Sequence, residues 1–210
     1  MKLTLIGMSG SGKSYWSRSL ETAGFTRFGC DDQITIRLAE ELKYDAHNFP
    51  MHQWVGYPDE EGYEERSAAY LSAEQAVLDE ILRTLQDSSA DENIVIDATG
   101  SIIYMPMELL ERLREETQII LLEVTHQDYK NMLAFYLANP TAIIWQGLFQ
   151  PNQGESRLQT FERCYPRLIQ SRKKAYQCLA DLTIPTRFHR APSLSAADFV
   201  NLIKSNKFQS

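Results

Sequence analysis

Short apolar runs alternate along the chain with longer stretches in which apolar residues return every three or four positions. Lys2–Ile6 reads as a buried strand. Gly12 to about Thr22 reads as a helix, with Trp16 and Leu20 four apart on one face. Phe25–Gly29 follows as a second strand. A helix begins at Asp31 or Asp32 and carries Ile34, Leu38 and Leu42. Residues 45–62 break any period with two prolines and two glycines. A long helix then shows Tyr70, Ala73, Val77, Ile81 and Leu85 on one stripe, and "NIVID" is a third strand ending at Asp97. Pro106 suits the first turn of the next helix, which has Leu109 and Leu113 on its apolar face. "QIILLEV" is a fourth strand, apolar enough to be covered on both faces. Tyr129–Ala138 is helical, residues 139–155 are loop-like, and a long helix runs on to about Ala180. "LTIPTRF" is the expected fifth strand, and residues 195–206 the closing helix.

Strands alternating with helices predict an α/β fold with a parallel sheet wrapped on both sides. The length suits a single domain over 1–210. The segments 45–62 and 139–155 exceed ordinary connections. They are expected to be a substrate-side insertion and a lid.

Composition narrows the class. The chain is 43% hydrophobic and 23% charged, as in soluble globular proteins, and its net charge is −7. That balance argues against binding long nucleic acid and leaves room for a local basic pocket. Cys30, Cys164 and Cys178 are odd in number and show no C-x-x-C spacing, so no disulfide framework or zinc site is expected. No leader pattern precedes the first strand, and no apolar run approaches the ~18–20 residues of a membrane span. The expectation is a cytoplasmic protein without membrane partners; the oligomeric state is left open, with a monomer slightly favoured.

Gly7-Met8-Ser9-Gly10-Ser11-Gly12-Lys13-Ser14 fits G-x-x-x-x-G-K-[ST] without a gap, with a strand before it and a helix after it. Gly7, Gly10 and Gly12 let backbone N–H groups turn inward on phosphate oxygens. Ser9 and Ser11 belong to the same cradle. The following helix presents its N-terminus to the anion. Lys13 supplies a charge to the β- and γ-phosphates, and the Ser14 hydroxyl helps hold Mg²⁺. No N-K-x-D or T-K-x-D segment reads guanine, so ATP is the expected nucleotide.

Acids stand where parallel sheets bind ligands, at strand carboxyl ends. Asp97 is a candidate metal-side carboxylate, set against a helix-capping role. After the second strand, Asp31 and Asp32 permit one cap and one carboxylate that receives or orients a substrate hydroxyl. Asp31 is favoured for the substrate. Arg172 lies four residues after Leu168 and four before Tyr176, on an apolar stripe with Phe161, Tyr165 and Leu179. A buried arginine needs an anion. A salt bridge with a core acid, and a substrate carboxylate or phosphate, both answer that need. Arg157 opens the same helix after the irregular segment and is a candidate lid arginine. His47, His52, His126 and His189 show no metal spacing. His47 and His52 lie in the first irregular segment, where they either touch substrate or, the favoured reading, are ordinary loop residues, and Trp54, Tyr57 and Tyr63 either wall a pocket or pin the loop.

The chain resembles the shikimate kinase group of small P-loop kinases, within the wider nucleoside-monophosphate-kinase fold. "LIGMSGSGKS" resembles the start of these enzymes. "CDDQI" resembles their D-x-D-x-x-I segment, which places Asp31 at the substrate aspartate. "SRKKAYQCLADLTI" resembles the late R-x-P-L-Y-x-x-x-A-D stretch, which places Arg172 where the family binds a carboxylate. The first acid of D-x-D falls on Gly29, the family's glycine triplet reads "DATGS", and "NPTAIIWQGLF" stands in place of the R-P-L lid stretch. Residues 45–62 have no counterpart. The resemblance implies a three-layer P-loop NTPase fold with strand order 2-3-1-4-5, ATP, Mg²⁺ and phosphoryl transfer. Together these readings predict a kinase acting on a hydroxyl of a small anionic acceptor. The alternatives are a kinase of nucleotides or nucleic-acid ends, and a non-catalytic ATP-binding regulator.

Overall fold

The structure, a computed structural model, describes residues 1–138 and 142–205, apart from the side chains of His126 and Lys130. The chain runs β1 (Lys2–Ile6), α1 (Lys13–Thr22), β2 (Thr26–Gly29), α2 (Cys30–Glu41), α3 (Met51–Val55) and α4 (Tyr63–Asp87). It continues with β3 (Ile94–Asp97), a 3₁₀ turn at Ile102–Tyr104, α5 (Met107–Glu116), β4 (Gln118–Leu122), α6 (His126–Ala138) and α7 (Arg157–Leu179). It ends with β5 (Leu182–Ile184), α8 (Thr186–His189) and α9 (Ala196–Ser205). The sheet is five-stranded and parallel, in the order β2-β3-β1-β4-β5.

Alternation along the strands builds two cores. Ile6, Ile94, Ile96, Ile119 and Leu121 face one layer, with α2, α4 and α7. Leu3, Leu5, Val95, Ile120 and Leu122 face the other, with Trp16, Leu20, Phe199 and Ile203. The strands are therefore apolar throughout because both faces are buried. The central place of β1, between β3 and β4, brings the loop after it to the middle of the sheet's carboxyl edge.

Two expected elements differ. The fifth strand stops at Ile184, and Thr186–His189 is helical. Pro185 has no N–H for a ladder but suits the entry to a helix. Within 45–62, Met51–Val55 forms one short helix, too few residues to show a period. The smaller core depends on Trp16, which stacks on Phe199 at 4.1 Å and donates its indole N–H to the His189 carbonyl. Trp16→Ala is expected to lower stability by about 3–5 kcal/mol, read by urea unfolding.

Candidate active site

The phosphate-loop glycines are required by the backbone. Gly7 has φ 140°, and a Cβ there would lie 2.8 Å from the Leu122 carbonyl oxygen. Gly12, at φ 100°, caps α1 in the left-handed region. The Lys13 ammonium folds back on the loop. It donates to the carbonyls of Gly7 at 3.0 Å and Met8 at 3.2 Å. Burial lowers its pKa, against the raising influence of Asp31 and Asp97. Ser11 Oγ is buried and makes no hydrogen bond. The first-turn N–H groups of α1, which no helical carbonyl can meet, and a buried ammonium suit this loop to an anion.

A cavity of about 230 Å³ opens beside the loop, and Ser9, Lys13, Asp31, His52, Tyr70 and Arg172 stand in its walls. Asp31 sits in the first turn of α2, where its carboxylate Oδ1 accepts the Tyr70 hydroxyl at 3.2 Å. Water reaches Asp31 through the cavity, yet protein atoms surround the carboxyl. That desolvation pushes its pKa up, against the opposing pull of Lys13 and the Tyr70 hydrogen bond. Arg172 is 6% exposed. It donates to the Ile144 carbonyl at 2.8 Å and the Tyr104 hydroxyl at 3.3 Å, with its guanidinium 5.5 Å from the Tyr104 ring centre. Among the described residues it has no salt bridge, so the structure does not place a core acid against it.

Gly100 is the floor under Arg172. A Cβ there would stand 3.3 Å from Arg172 Nη1. The loop carrying Gly100 is fixed by Glu74, which accepts hydrogen bonds from the hydroxyls of Thr99 and Ser101. The Tyr176 hydroxyl donates to the Gly100 carbonyl. Burial pushes the Glu74 carboxyl up to about 7, although the two hydroxyls pull it down.

The remaining acids separate. Asp97 is buried and accepts from Ser17 Oγ and from Arg27, each at 3.0 Å. Asp32 turns outward and pairs with the other nitrogen of the same guanidinium at 3.2 Å. Thus Asp31 faces the cavity and Asp32 does not. Ser14 is exposed at the start of α1. The exposed Ser14 Oγ would meet a Mg²⁺ that arrives on a nucleotide and keeps its waters, with the Asp97 carboxylate reaching it through water. No group of three metal-ligating side chains exists among the described residues to hold a bare ion.

A second cavity of about 260 Å³ adjoins the first, and Ser9, Met132, Ile143 and Tyr165 line both. At its rim Arg190 donates to the Gly10 carbonyl at 2.8 Å and pairs with Asp128 at 3.0 Å. This space reaches the phosphate loop at Ser9 and Gly10.

Arg157 is not brought to either cavity. It is paired with Asp59 at 2.5 Å and lies 4.5 Å over the Tyr57 ring, tied to the insertion. The expected lid, 139–155, is anchored where described, and residues 139–141 lie outside the described residues. Ile143, Ile144 and Trp145 are buried, the Tyr63 hydroxyl donates to the Ile143 carbonyl at 2.7 Å, and the Trp145 amide donates to that hydroxyl at 3.1 Å. Tyr63 therefore pins this segment, and the Tyr57 hydroxyl meets the carbonyls of Tyr136 and Leu137. His52 stands in the cavity wall, its Nδ1 taking the Ala142 N–H at 3.4 Å. His47 lies in a turn with Asp45. His189 bonds the Glu123 carbonyl at 2.8 Å. The side chain of His126 lies outside the described residues.

The five-stranded parallel sheet in the order β2-β3-β1-β4-β5, with the glycine-rich loop after its central strand, is the fold of the P-loop kinases. No protein-family model matches the chain, and no curated protein sequence matches it. Solved structures do. The chain is similar to the shikimate kinase of Acinetobacter baumannii in complex with shikimate, at 20% identity and TM-score 0.62, over 99% of this chain and 95% of that one. It is similar to the shikimate kinase of Bacteroides thetaiotaomicron at 15% identity and TM-score 0.57, over 98% and 97% of the two chains. A third is the shikimate kinase of Aquifex aeolicus, at 15% identity and TM-score 0.55, over the whole of both chains. The chain therefore has a shikimate-kinase-like nucleoside-monophosphate-kinase fold. No helix among the described residues is long and apolar enough to cross a membrane.

Glu74 generates a pH prediction. Its carboxyl titrates near 7 in the fold, above its ordinary value of 4.5. The folded state then holds a proton that the unfolded chain has lost, so stability falls as pH rises from about 4.5 to about 7. The loss amounts to as much as about 3 kcal/mol. Glu74→Gln is expected to flatten that slope in urea unfolding between pH 5 and 8. An unchanged slope would show that Glu74 does not titrate there.

Proposed function

We propose that this protein transfers the γ-phosphoryl group of ATP to a hydroxyl of a small anionic acceptor. The carrying observation is that Lys13, Asp31 and Arg172 meet around one cavity beside a phosphate loop, with both cations lacking an ion-pair partner among the described residues.

The loop N–H groups and the α1 N-terminus would hold the phosphates. Lys13 would exchange the Gly7 and Met8 carbonyls for β- and γ-phosphate oxygens, which are better partners for a buried ammonium. Ser14, and Asp97 only through water, would hold a Mg²⁺ carried in with the nucleotide, which would supply charge neutralisation of the phosphates. Arg172, with two of its nitrogens already set by Tyr104 and Ile144, would bind the acceptor's anionic group and fix its orientation. Asp31, aligned by Tyr70, would accept the proton of the acceptor hydroxyl as the oxygen forms its bond to phosphorus and ADP leaves. The raised pKa of Asp31 makes it a better base than an ordinary aspartate.

The anchored 142–145 segment and the insertion narrow the access of water, the competing acceptor. Similarity to structures of shikimate kinases supports a hydroxy-acid acceptor, shikimate-like in having a carboxylate for Arg172 and a hydroxyl for Asp31. Two buried cations at the cavity, in a chain of net charge −7, favour a small anionic molecule over a nucleic-acid end.

A coupled ADP-release assay over hydroxy acids, sugars and nucleotides tests the reading. At least one anionic acceptor is expected to stimulate release. Asp31→Ala should cut that stimulated rate by about 10²–10⁴-fold with ATP binding intact. Arg172→Met should raise the acceptor KM, and Lys13→Ala should weaken turnover. ATP binding without any acceptor response across the panel would favour the regulatory reading instead.

A further inference from the structure

Arg27 lies outside both cavities, and the mechanism above does not use it. It projects from β2 into the gap between the phosphate-loop helix and the end of β3. Its Nε donates to Ser17 Oγ at 2.9 Å, its Nη2 to Asp97 at 3.0 Å and its Nη1 to Asp32 at 3.2 Å. The Arg27 and Asp97 side chains are 13% and 7% exposed, whereas that of Asp32 is 62% exposed. The inner half of the network is thus shielded and the outer half wet.

The backbone makes room for this arrangement. Gly29, the last residue of β2, has no side chain, and a Cβ there would stand 2.7 Å from Arg27 Nη2 and 2.8 Å from Nη1. The guanidinium occupies the space into which any side chain at position 29 would point. A cation therefore fills the flank of Asp97, and one carboxylate oxygen, Oδ2, receives both Ser17 and Arg27.

We infer that Arg27 is a positioning residue for the metal side of the nucleotide site: by holding Asp97 in an ion pair, it keeps that carboxylate from acting as a direct ligand. The inference rests on the phosphate-loop reading. A dication near Ser14 would meet a neutralised carboxylate in place of a full negative charge, so Asp97 would contribute weakly to metal binding. Ser17, one turn after Ser14 on α1, fixes the distance between Asp97 and the helix that carries the metal hydroxyl.

The test is the ratio of ADP affinity with Mg²⁺ to ADP affinity in EDTA, measured by calorimetry on the full chain. In the wild-type background Asp97→Asn is expected to lower that ratio less than about threefold, because the charge is already offset; removal of a functioning metal-site partner costs about 10–100-fold. Arg27→Met is expected to raise the ratio about five- to tenfold by freeing Asp97. Arg27→Met combined with Asp97→Asn should return it to the Asp97→Asn value. A tenfold or larger drop for Asp97→Asn overturns the inference, whether or not Arg27→Met folds. So does a folded Arg27→Met with an unchanged ratio, or a gain that survives Asp97→Asn. Absence of ADP binding in both buffers would overturn the phosphate-loop reading itself, and this inference with it.

Discussion

Lys13 and Arg172 are buried at one cavity, and neither has a carboxylate at ion-pair distance among the described residues. A buried cation without a counter-ion is held at a large desolvation penalty. Here that penalty is met only in part, by backbone carbonyls at Gly7, Met8 and Ile144 and by the Tyr104 hydroxyl. Carbonyl dipoles are poorer partners for a cation than an anion is. On the proposed reading the site would receive two negative groups, one at the phosphate loop and one at Arg172. The rest of the architecture holds these charges in place.

The scaffolding is indirect. Arg172 rests on Gly100, where even a methyl group would crowd its Nη1. Gly100 is placed by Glu74 through Thr99 and Ser101, and by the Tyr176 hydroxyl. At the cavity wall the 142–145 segment is tied down from two sides: Tyr63, at the start of α4, binds Ile143 and Trp145, and His52 of the insertion reaches Ala142. Arg157 pairs with Asp59 of the insertion, away from the phosphate loop.

The fold was legible because its signals are local. Alternating apolar strands can be read from a few residues, and glycine spacing announces a loop that needs left-handed backbone at Gly10 and Gly12. Arg172 was visible as a charge on an apolar stripe. Glu74 carries the same signal, four residues after Tyr70 and three before Val77, and could have been found by it. Other features depend on contacts between distant segments. Which of Asp31 and Asp32 turns inward is decided by Tyr70, 39 residues on, and by Arg27. The partner of Arg157 lies 98 residues away. His52 joins the cavity only because the insertion folds over it. β5 ends early because Pro185 cannot extend a ladder, a local signal outweighed in the reading by the apolar run before it.

The central claim is that the phosphate loop and its lysine await a triphosphate. A crystal structure with a non-hydrolysable ATP analogue and Mg²⁺ tests it most directly. The account predicts Lys13 Nζ moved off the Gly7 and Met8 carbonyls onto β- and γ-phosphate oxygens, with the γ-phosphate turned toward Asp31. An analogue bound elsewhere, with Lys13 still on the loop carbonyls, would contradict it.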